Sequence, residues 1–357
     1  MKIVPSLYWL IKYTDRRTFR PKEAVNRLRL ATDFLRGREI ARGFPKHLRI
    51  ELTTRCNLAC IMCPITEMER TLGNMDLDLF RKIVADAAAH GTTFVYLHAW
   101  GESTIHRDLF TFVREAKKVG LQVGLSTNCT LLDQKKAQEM VDSGLDFLIL
   151  SMDGAVKETY EKVRKNADFE IVRQNITNML ATKARQRRGP FTVLQLIKMT
   201  ETQEEVEEFL AYWRDMTPDS VFVKKLWTWD GKAKDINLLL VDAMPDAVNT
   251  VCPALWKQLI IHWNGDVVPC CTDIEGKLHL GNLGAQTMAE IWNGAPMREL
   301  RRAHTEGRRK GLYPCDGCVS GSQPRLKSAA ELALDAVTFE KFIFTDRTRL
   351  PGDSPAR

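Results

Sequence analysis

Nine cysteines are spread unevenly along the 357 residues. Three of them, Cys56, Cys60 and Cys63, share one short run, Thr54-Arg-Cys-Asn-Leu-Ala-Cys-Ile-Met-Cys-Pro64. A CxxxCxxC loop offers three thiolates, whereas a cubane [4Fe–4S] cluster has four irons, so one iron stays open to a small molecule that can receive an electron there. A structural zinc site is the competing reading, although such sites close with four protein ligands in paired spacings. Four more cysteines, Cys252, Cys270, Cys315 and Cys318, lie in the last third, the last two as Cys315-Asp-Gly-Cys318. Four thiolates can enclose a second cluster completely, or hold zinc. Cys129 and Cys271 are left over.

The first run resembles the signature of the radical S-adenosylmethionine (SAM) enzymes. The resemblance implies a cluster on Cys56, Cys60 and Cys63, with the amino and carboxylate groups of SAM on the open iron. One-electron reduction would then release a 5′-deoxyadenosyl radical that takes a hydrogen atom from the substrate. Further along, Ala99-Trp-Gly101-Glu102-Ser103 resembles the family's Gly-Glu-Pro motif, with Ser103 in place of the usual Pro. It implies that Glu102 receives the amino group of SAM. Ser126-Thr-Asn128-Cys129-Thr-Leu-Leu132 and Ser151-Met-Asp153-Gly154 resemble the polar segments that meet the ribose or carboxylate of SAM. Met62 matches the apolar slot beside adenine. In the last third, Asn264-Gly-Asp-Val-Val-Pro-Cys270, Gly281-Asn-Leu and Ile291-Trp-Asn-Gly294 resemble a shortened SPASM/twitch-type auxiliary domain. That implies one auxiliary [4Fe–4S] cluster on Cys252, Cys270, Cys315 and Cys318, as in sugar and aminoglycoside epimerases and the 2-deoxy-scyllo-inosamine dehydrogenase.

The two spare cysteines read differently. Cys271 directly follows an auxiliary ligand, so a thiol there could give a hydrogen atom to a substrate radical; an inert packing thiol is the alternative. Cys129 stands where the family motif has Gly, which suggests a backbone with no need of positive φ, and a packing role. Lys225, Trp227 and Trp229 suit either a substrate cleft or core packing and a solvated cation. His98 and His106 read as hydrogen-bonding residues at the rim of the site.

These groups need a scaffold that brings loops together. Strand-like segments near Leu48–Thr53, Phe94–His98, Leu121–Ser126, Asp146–Ser151, Phe191–Met199 and Ser220–Lys225 alternate with helical periodicity. One helix buries Leu77, Phe80, Ile83, Val84 and Ala87 behind an Asp76 cap, and others span roughly Asp108–Val119, Asp133–Ser143, Phe169–Arg187 and Glu204–Met216. Gly120 and Gly144 mark helix stops. Six βα units predict parallel strands with right-handed crossovers, and chemistry at the strand C-terminal ends. The expected fold is therefore α/β: a partial (β/α)6 barrel with a small C-terminal iron–sulfur auxiliary domain. The expected divisions are an N-terminal helical extension (1–45), the barrel (46–250), the auxiliary domain (251–325) and a C-terminal extension (326–357).

Composition narrows the function. No run of apolar residues is long enough to span a membrane, and the apolar start, Met1 to Leu10, contains Pro5 and reads as a packing segment, not a secretory signal. Oxygen-sensitive clusters imply a reducing cytoplasm. The net charge of +7 gathers at residues 16–42 and 298–310. Without interleaved aromatics or a recognition motif, these stretches read as solvated helix faces and not as a nucleic-acid surface. The expected activity is hydrogen abstraction from a carbohydrate-like small molecule, with epimerisation through Cys271. Alcohol dehydrogenation is the alternative, and peptide modification a more distant one. The family resemblance also implies an electron donor such as flavodoxin or ferredoxin.

Overall fold

The computed structural model describes residues 21–229, 234–242, 251–318 and 325–333. The segment from Met1 to Leu10, the cations Arg16, Arg17 and Arg20, and the end of the C-terminal extension lie outside the described residues. Six strands follow the expected units: β1 (His47–Ile50), β2 (Phe94–Tyr96), β3 (Gln122–Thr127), β4 (Phe147–Ser151), β5 (Phe191–Lys198) and β6 (Ser220–Lys225). Each pairs in parallel with the next. Helices α1 (Pro21–Leu35), α2 (Leu77–Ala89), α3 (Leu109–Lys118), α4 (Gln134–Asp142), α5 (Lys157–Val163), α6 (Phe169–Gln186) and α7 (Val206–Asp215) complete this part. The expected cap is present, since the Asp76 carboxylate accepts from the N–H groups of Asp78 and Leu79 at 2.8 and 3.1 Å. Gly120 and Gly144 take φ of +83° and +84° after α3 and α4, the left-handed stop that glycine adopts without penalty.

Strand alternation divides the side chains between two environments. Leu48, Ile50, Val95, Leu125, Leu148 and Leu194 face the helices and join the main core. On the other side, Phe94, Tyr96, Phe147, Ile149, Val193 and Phe222 form a separate apolar plug inside the barrel. By the same alternation Arg49, His98, Ser126, Ser151 and Lys224 sit on this inner side, nearer the strand C-terminal ends. The lumen therefore has an apolar base beneath a polar layer.

Three further strands of this sheet were not anticipated. β7 (Gln258–Ile261), from the stretch read as the auxiliary domain, runs parallel to β1 in the register His47↔Gln258 to Ile50↔Ile261. β8 (Asp266–Val268) and β9 (Gly281–Asn282) continue antiparallel beyond it, making one nine-stranded sheet. β1 is thus flanked on both sides. His47 Nε2 lies 2.9 Å from the Gln258 side-chain oxygen across the new pairing. Just past β1, the fully buried Glu51 carboxylate takes both ends of the Arg70 guanidinium at 3.2 and 2.8 Å and also accepts from the Trp263 N–H. Arg70 in turn donates to the Ile274 carbonyl.

The last helices, α8 (Met288–Trp292), α9 (Ala295–Thr305) and α10 (Arg325–Ala333), close the C-terminal part, with α10 packed on α1. The expectation of a solvated basic face at 298–310 holds only in part. Arg302 and Arg308 are exposed and pair with Glu39, Glu299 and Glu306. Arg301 is instead fully buried, its guanidinium 4.3 Å from the Trp292 ring centre and donating to the Leu255 and Glu39 carbonyls. Arg309 donates to the carbonyls of Cys315 and Cys318. A planar cation with several fixed donors ties carbonyl-rich loops together, so these two arginines are internal braces. Among the described residues no helix is long and apolar enough to cross a membrane.

The β1–β7 junction makes the fold sensitive to acid. Burial, aided by Lys257 and Arg49, holds the His47 imidazole well below its ordinary value of 6.5, and burial with Arg70 brings His262 to about 3. The folded state resists protonating these rings while the unfolded chain protonates them near 6.5, so their contribution is complete above that pH and declines as pH falls from 6.5 towards 3. Each such ring costs up to about 1.4 kcal/mol per pH unit in that window. Melting temperatures measured anaerobically from pH 8 to about pH 5 should fall below pH 6.5. His47→Gln should fall less steeply.

Candidate active site

The cysteine loop leaves the C-terminal end of β1. Two residues of it, Ala59–Cys60, pair antiparallel with Arg164–Lys165 at the end of α5, placing Cys60 opposite Arg164. The Cys63 N–H donates to the Cys60 carbonyl at 3.0 Å, closing the turn that gathers the thiols. Burial raises the Cys56 and Cys60 thiols and pushes Cys63 up to about 12. Arg164, 7% exposed, opposes the rise at all three. Such thiols ionise when a metal takes the proton's place. Nothing in the cysteine spacing signalled Arg164; it reaches the site only because α5 folds back onto the loop.

Gly101 sets how closely the second loop approaches the first. Its φ is +74°, and a Cβ there would lie 2.2 Å from the Thr53 carbonyl oxygen. The next N–H, of Glu102, donates to the Arg55 carbonyl at 2.9 Å. The Glu102 side chain is buried, with Oε1 accepting from the Thr104 N–H, the Thr104 hydroxyl and the Thr127 hydroxyl, and Oε2 from the Asn128 N–H at 2.7 Å. A carboxylate has about four lone-pair positions, and with one bond on Oε2 a position remains there for an incoming ammonium.

The other anticipated polar residues divide into two groups. Asn128 donates to the Asn57 side chain at 3.0 Å and accepts from Thr130, so it holds the cysteine loop, with one amide N–H uncommitted among the described residues. Asp153 is fully buried, accepting from the Ile197 N–H at 2.6 Å and from Arg164 Nε and Nη2 at 2.9 and 2.7 Å, so it orients Arg164. Ser126 and Ser151, with hydroxyls 3.4 Å apart, face the lumen. Met62 is 6% exposed and packs with Val163, Met199 and Leu226. Trp229 donates to the Met62 carbonyl and lies against Trp100, with ring centres 4.6 Å apart, so Trp229 packs beside the cysteine loop. Lys225 is exposed and pairs with Asp242 at 3.2 Å. His106 accepts from the Asp108 N–H, and His98 Nδ1 from the Ser126 N–H, as hydrogen-bonding residues should.

Cys129 corrects one expectation. Its φ is +64°, so the backbone still takes the left-handed form that the family's Gly would adopt there. The cost of that form, about 1–2 kcal/mol for a residue with Cβ, is offset by a fully buried side chain and by the Asn175 amide donating to the Cys129 carbonyl at 2.9 Å.

The second thiol group lines a cavity of about 90 Å³ that holds Cys252, Cys270, Cys315 and Cys318 together with Cys271 and Trp227. Burial raises Cys270 well above the ordinary thiol value and Cys315 to about 12. Among the described residues no three His, Cys, Asp or Glu side chains converge as on a single metal ion. A cubane offers each thiolate its own iron corner, so thiols spaced around a pocket fit it, and both donor sets are of the kind such clusters take. Cys271 also lies close enough to the Lys224 ammonium to influence its charge.

Residues 50–213 match the radical SAM superfamily and residues 252–319 an iron–sulfur cluster-binding SPASM domain. The chain is 28% identical to the tungsten-containing aldehyde ferredoxin oxidoreductase cofactor-modifying protein of Pyrococcus furiosus, over 69% of this chain and 80% of that one. It is 32% identical to the PqqA peptide cyclase of Rhodopseudomonas palustris, over 34% of this chain and only 32% of that one. Two solved structures share the fold: BtrN in complex with AdoMet and 2-DOIA (19% identity, 77% and 93% of the two chains, TM-score 0.53), and Streptococcus suis SuiB bound to precursor peptide SuiA (14%, 79% and 72%, 0.60).

Gly101→Ala should destabilise the protein by about 2–5 kcal/mol, combining backbone strain with overpacking against Thr53. Anaerobic melting and iron content after reconstitution check this. Replacing Cys315 and Cys318 together by Ala should remove about half of the bound iron. Full retention would mean that these thiols hold no cluster.

Proposed function

We propose that this chain, a radical SAM enzyme carrying a SPASM domain, epimerises a carbon centre of a carbohydrate-like small molecule with Cys271 as hydrogen-atom donor. The observation that carries the reading is the position of Cys271. It lines the auxiliary-cysteine cavity and is also within electrostatic reach of Lys224, on the inner face of β6. A thiol between the two compartments can meet a substrate lying in the lumen.

In this reading Cys56, Cys60 and Cys63 hold the SAM-binding [4Fe–4S] cluster, and Cys252, Cys270, Cys315 and Cys318 the auxiliary one. When bound, SAM and its cluster supply a 5′-deoxyadenosyl radical that takes one hydrogen atom from the substrate. Glu102 receives the SAM ammonium on Oε2, Met62 flanks the adenine, and the Ser126 and Ser151 hydroxyls meet the ribose or carboxylate. Gly101, Asn128 and Asp153 act one contact further back, setting the loop approach, the cysteine loop and Arg164 respectively. Cys271 then delivers hydrogen to the opposite face of the carbon: its S–H bond breaks as the new C–H bond forms. One electron from a flavodoxin- or ferredoxin-type donor, with one proton from solvent, restores the thiol. The division into 1–45, 46–250, 251–325 and 326–357 is retained, with β7 of the third part completing the sheet of the second.

A peptide substrate is the second reading, favoured by the peptide cyclase among the relatives.

Product formed in D2O should carry one solvent deuterium at the inverted carbon, because thiols exchange with water. Cys271→Ala should still consume SAM and substrate but fail to complete inversion. A product two mass units lighter, with Cys271→Ala near full activity, would decide for dehydrogenation. Glu102→Gln should weaken SAM binding about tenfold, as a charge-assisted hydrogen bond becomes a neutral one; equilibrium binding measures it.

A further inference from the structure

The polar layer above the apolar plug carries an unusual surplus of cations. Arg49 projects inward between Leu48 and Ile50, and its guanidinium carbon lies 4.5 Å from the centre of the buried Tyr96 ring. His98 stands next to it, with Nε2 3.1 Å from Arg49 Nη1. Lys224 enters from β6 across the lumen, close enough that it and Arg49 both depress the protonation of His98 beyond what burial does. Among the described residues no carboxylate forms an ion pair with Arg49 or Lys224. The carboxylate that influences Lys224, after the Cys271 thiol, is Asp153, which is held by Arg164 and the Ile197 N–H.

The hydrogen bonds at His98 point the same way. The Ser126 backbone N–H donates to Nδ1 at 3.1 Å. A neutral imidazole has one acceptor nitrogen, so it can meet only one of its two neighbouring donors, the Ser126 N–H or the Arg49 N–H; with Nδ1 accepting from the backbone, Nε2 carries the proton. That N–H then faces the Arg49 N–H at 3.1 Å: two donors meet and neither has an acceptor between them. Burial, Arg49 and Lys224 keep the ring from taking a second proton, so it remains a neutral donor. Arg49 and His98, both half-buried, form a donor pair without a shared acceptor, which is unfavourable unless a water or a ligand oxygen completes it; Lys224 is exposed and adds charge.

We propose that Arg49, His98 and Lys224 form a binding site for an anionic group of the substrate, a carboxylate or a phosphate, at the floor of the lumen. One oxygen accepts from Arg49 and His98 side by side, and Lys224 meets the group from the opposite wall. This names the substrate class of the reading above and rests on it in one respect, that the lumen is where the substrate lies. With Cys271 influencing the same Lys224 ammonium, an anion held there places the rest of the substrate beneath the cysteine loop, with the thiol to one side.

The test uses the reconstituted full chain under anaerobic, low-salt conditions, with inorganic phosphate and acetate as separate probes, followed by 31P and methyl-proton line broadening. Wild-type protein should bind at least one of the two. Phosphate alone would indicate a phosphorylated substrate, and acetate a carboxylate. Arg49→Gln and Lys224→Gln should each weaken binding about tenfold, since each removes a charge-assisted contact. Lys225→Gln, one residue on and on the opposite face of the strand, should bind as wild type does. Iron content and SAM affinity of the variants serve as folding controls. If Arg49→Gln fails to take up iron, Lys224→Gln, whose side chain is open to solvent, carries the test alone.

Unchanged probe binding in the Lys224→Gln variant would overturn the proposal. So would a loss of SAM affinity with probe binding intact, because the cations would then serve the SAM carboxylate. Probe binding that depends on Arg49 and Lys224, alongside a Cys271→Ala variant that still inverts its substrate, would leave the anion site standing and remove the hydrogen-donor role. The reverse pattern would remove the anion site alone.

Discussion

The double pairing of β1 is the constraint from which the site's geometry follows. His47–Arg49 pair with β2 on one side, and His47–Ile50 with β7 on the other. The strand that launches the first cysteine loop is thereby locked in register to the strand that lies between Cys252 and Cys270 of the second set. A parallel pair fixes both direction and offset, so the two thiol groups keep one separation. Glu51, Arg70 and Trp263 reinforce the junction immediately beyond the strand end. A buried ion pair of this kind contributes little net stability against an apolar replacement but costs several kcal/mol when one partner is removed, which favours a single arrangement.

Around that junction, much of the polar chemistry holds loops in place for other groups. Asn128 grips Asn57, Asp153 grips Arg164, and Thr104 and Thr127 hold the Glu102 carboxylate. The Asn128–Asn57, Thr127–Glu102 and Ile197–Asp153 contacts each join two different strand ends, so the rim is a connected set of loops. The groups with capacity left to meet a ligand are fewer: one lone-pair position on Glu102, one amide N–H of Asn128, the hydroxyls of Ser126 and Ser151, and the cations of the lumen floor.

Charge is distributed to suit thiolates. Five of the seven thiols, Cys56, Cys60, Cys63, Cys270 and Cys315, resist ionisation chiefly through desolvation, and each pocket has an arginine beside it. Arg164 lies opposite Cys60, and Arg309 bonds the carbonyls of Cys315 and Cys318. A guanidinium stays charged at any working pH and supplies several donors in one plane, so it can brace a loop while offsetting negative charge. The lumen floor follows the opposite rule: among the described residues no carboxylate forms an ion pair with Arg49 or Lys224 there.

What the residue order alone determined was local. The CxxxCxxC spacing, the Asp76 cap, the helix-ending Gly120 and Gly144, and the six alternating strand segments are short-range signals of periodicity and turn chemistry, and the barrel follows from them. The motif positions at successive strand ends were legible for the same reason. Tertiary structure decided which side chains remain available. Asn128 and Asp153 read as ligand contacts, and only their partners in distant segments show that they also hold the frame. Arg164 and Arg49 carried no motif; the first matters because α5 returns to the cysteine loop, the second because an inward residue of β1 meets β2 and β6 across the lumen. β7 was a four-residue segment, Gln258–Ile261, whose pairing with β1 spans about two hundred positions, and no local pattern encodes a partner at that distance. Cys129 shows the same limit at one residue: Cys predicts an ordinary backbone, yet its buried setting and the Asn175 bond hold φ at +64°.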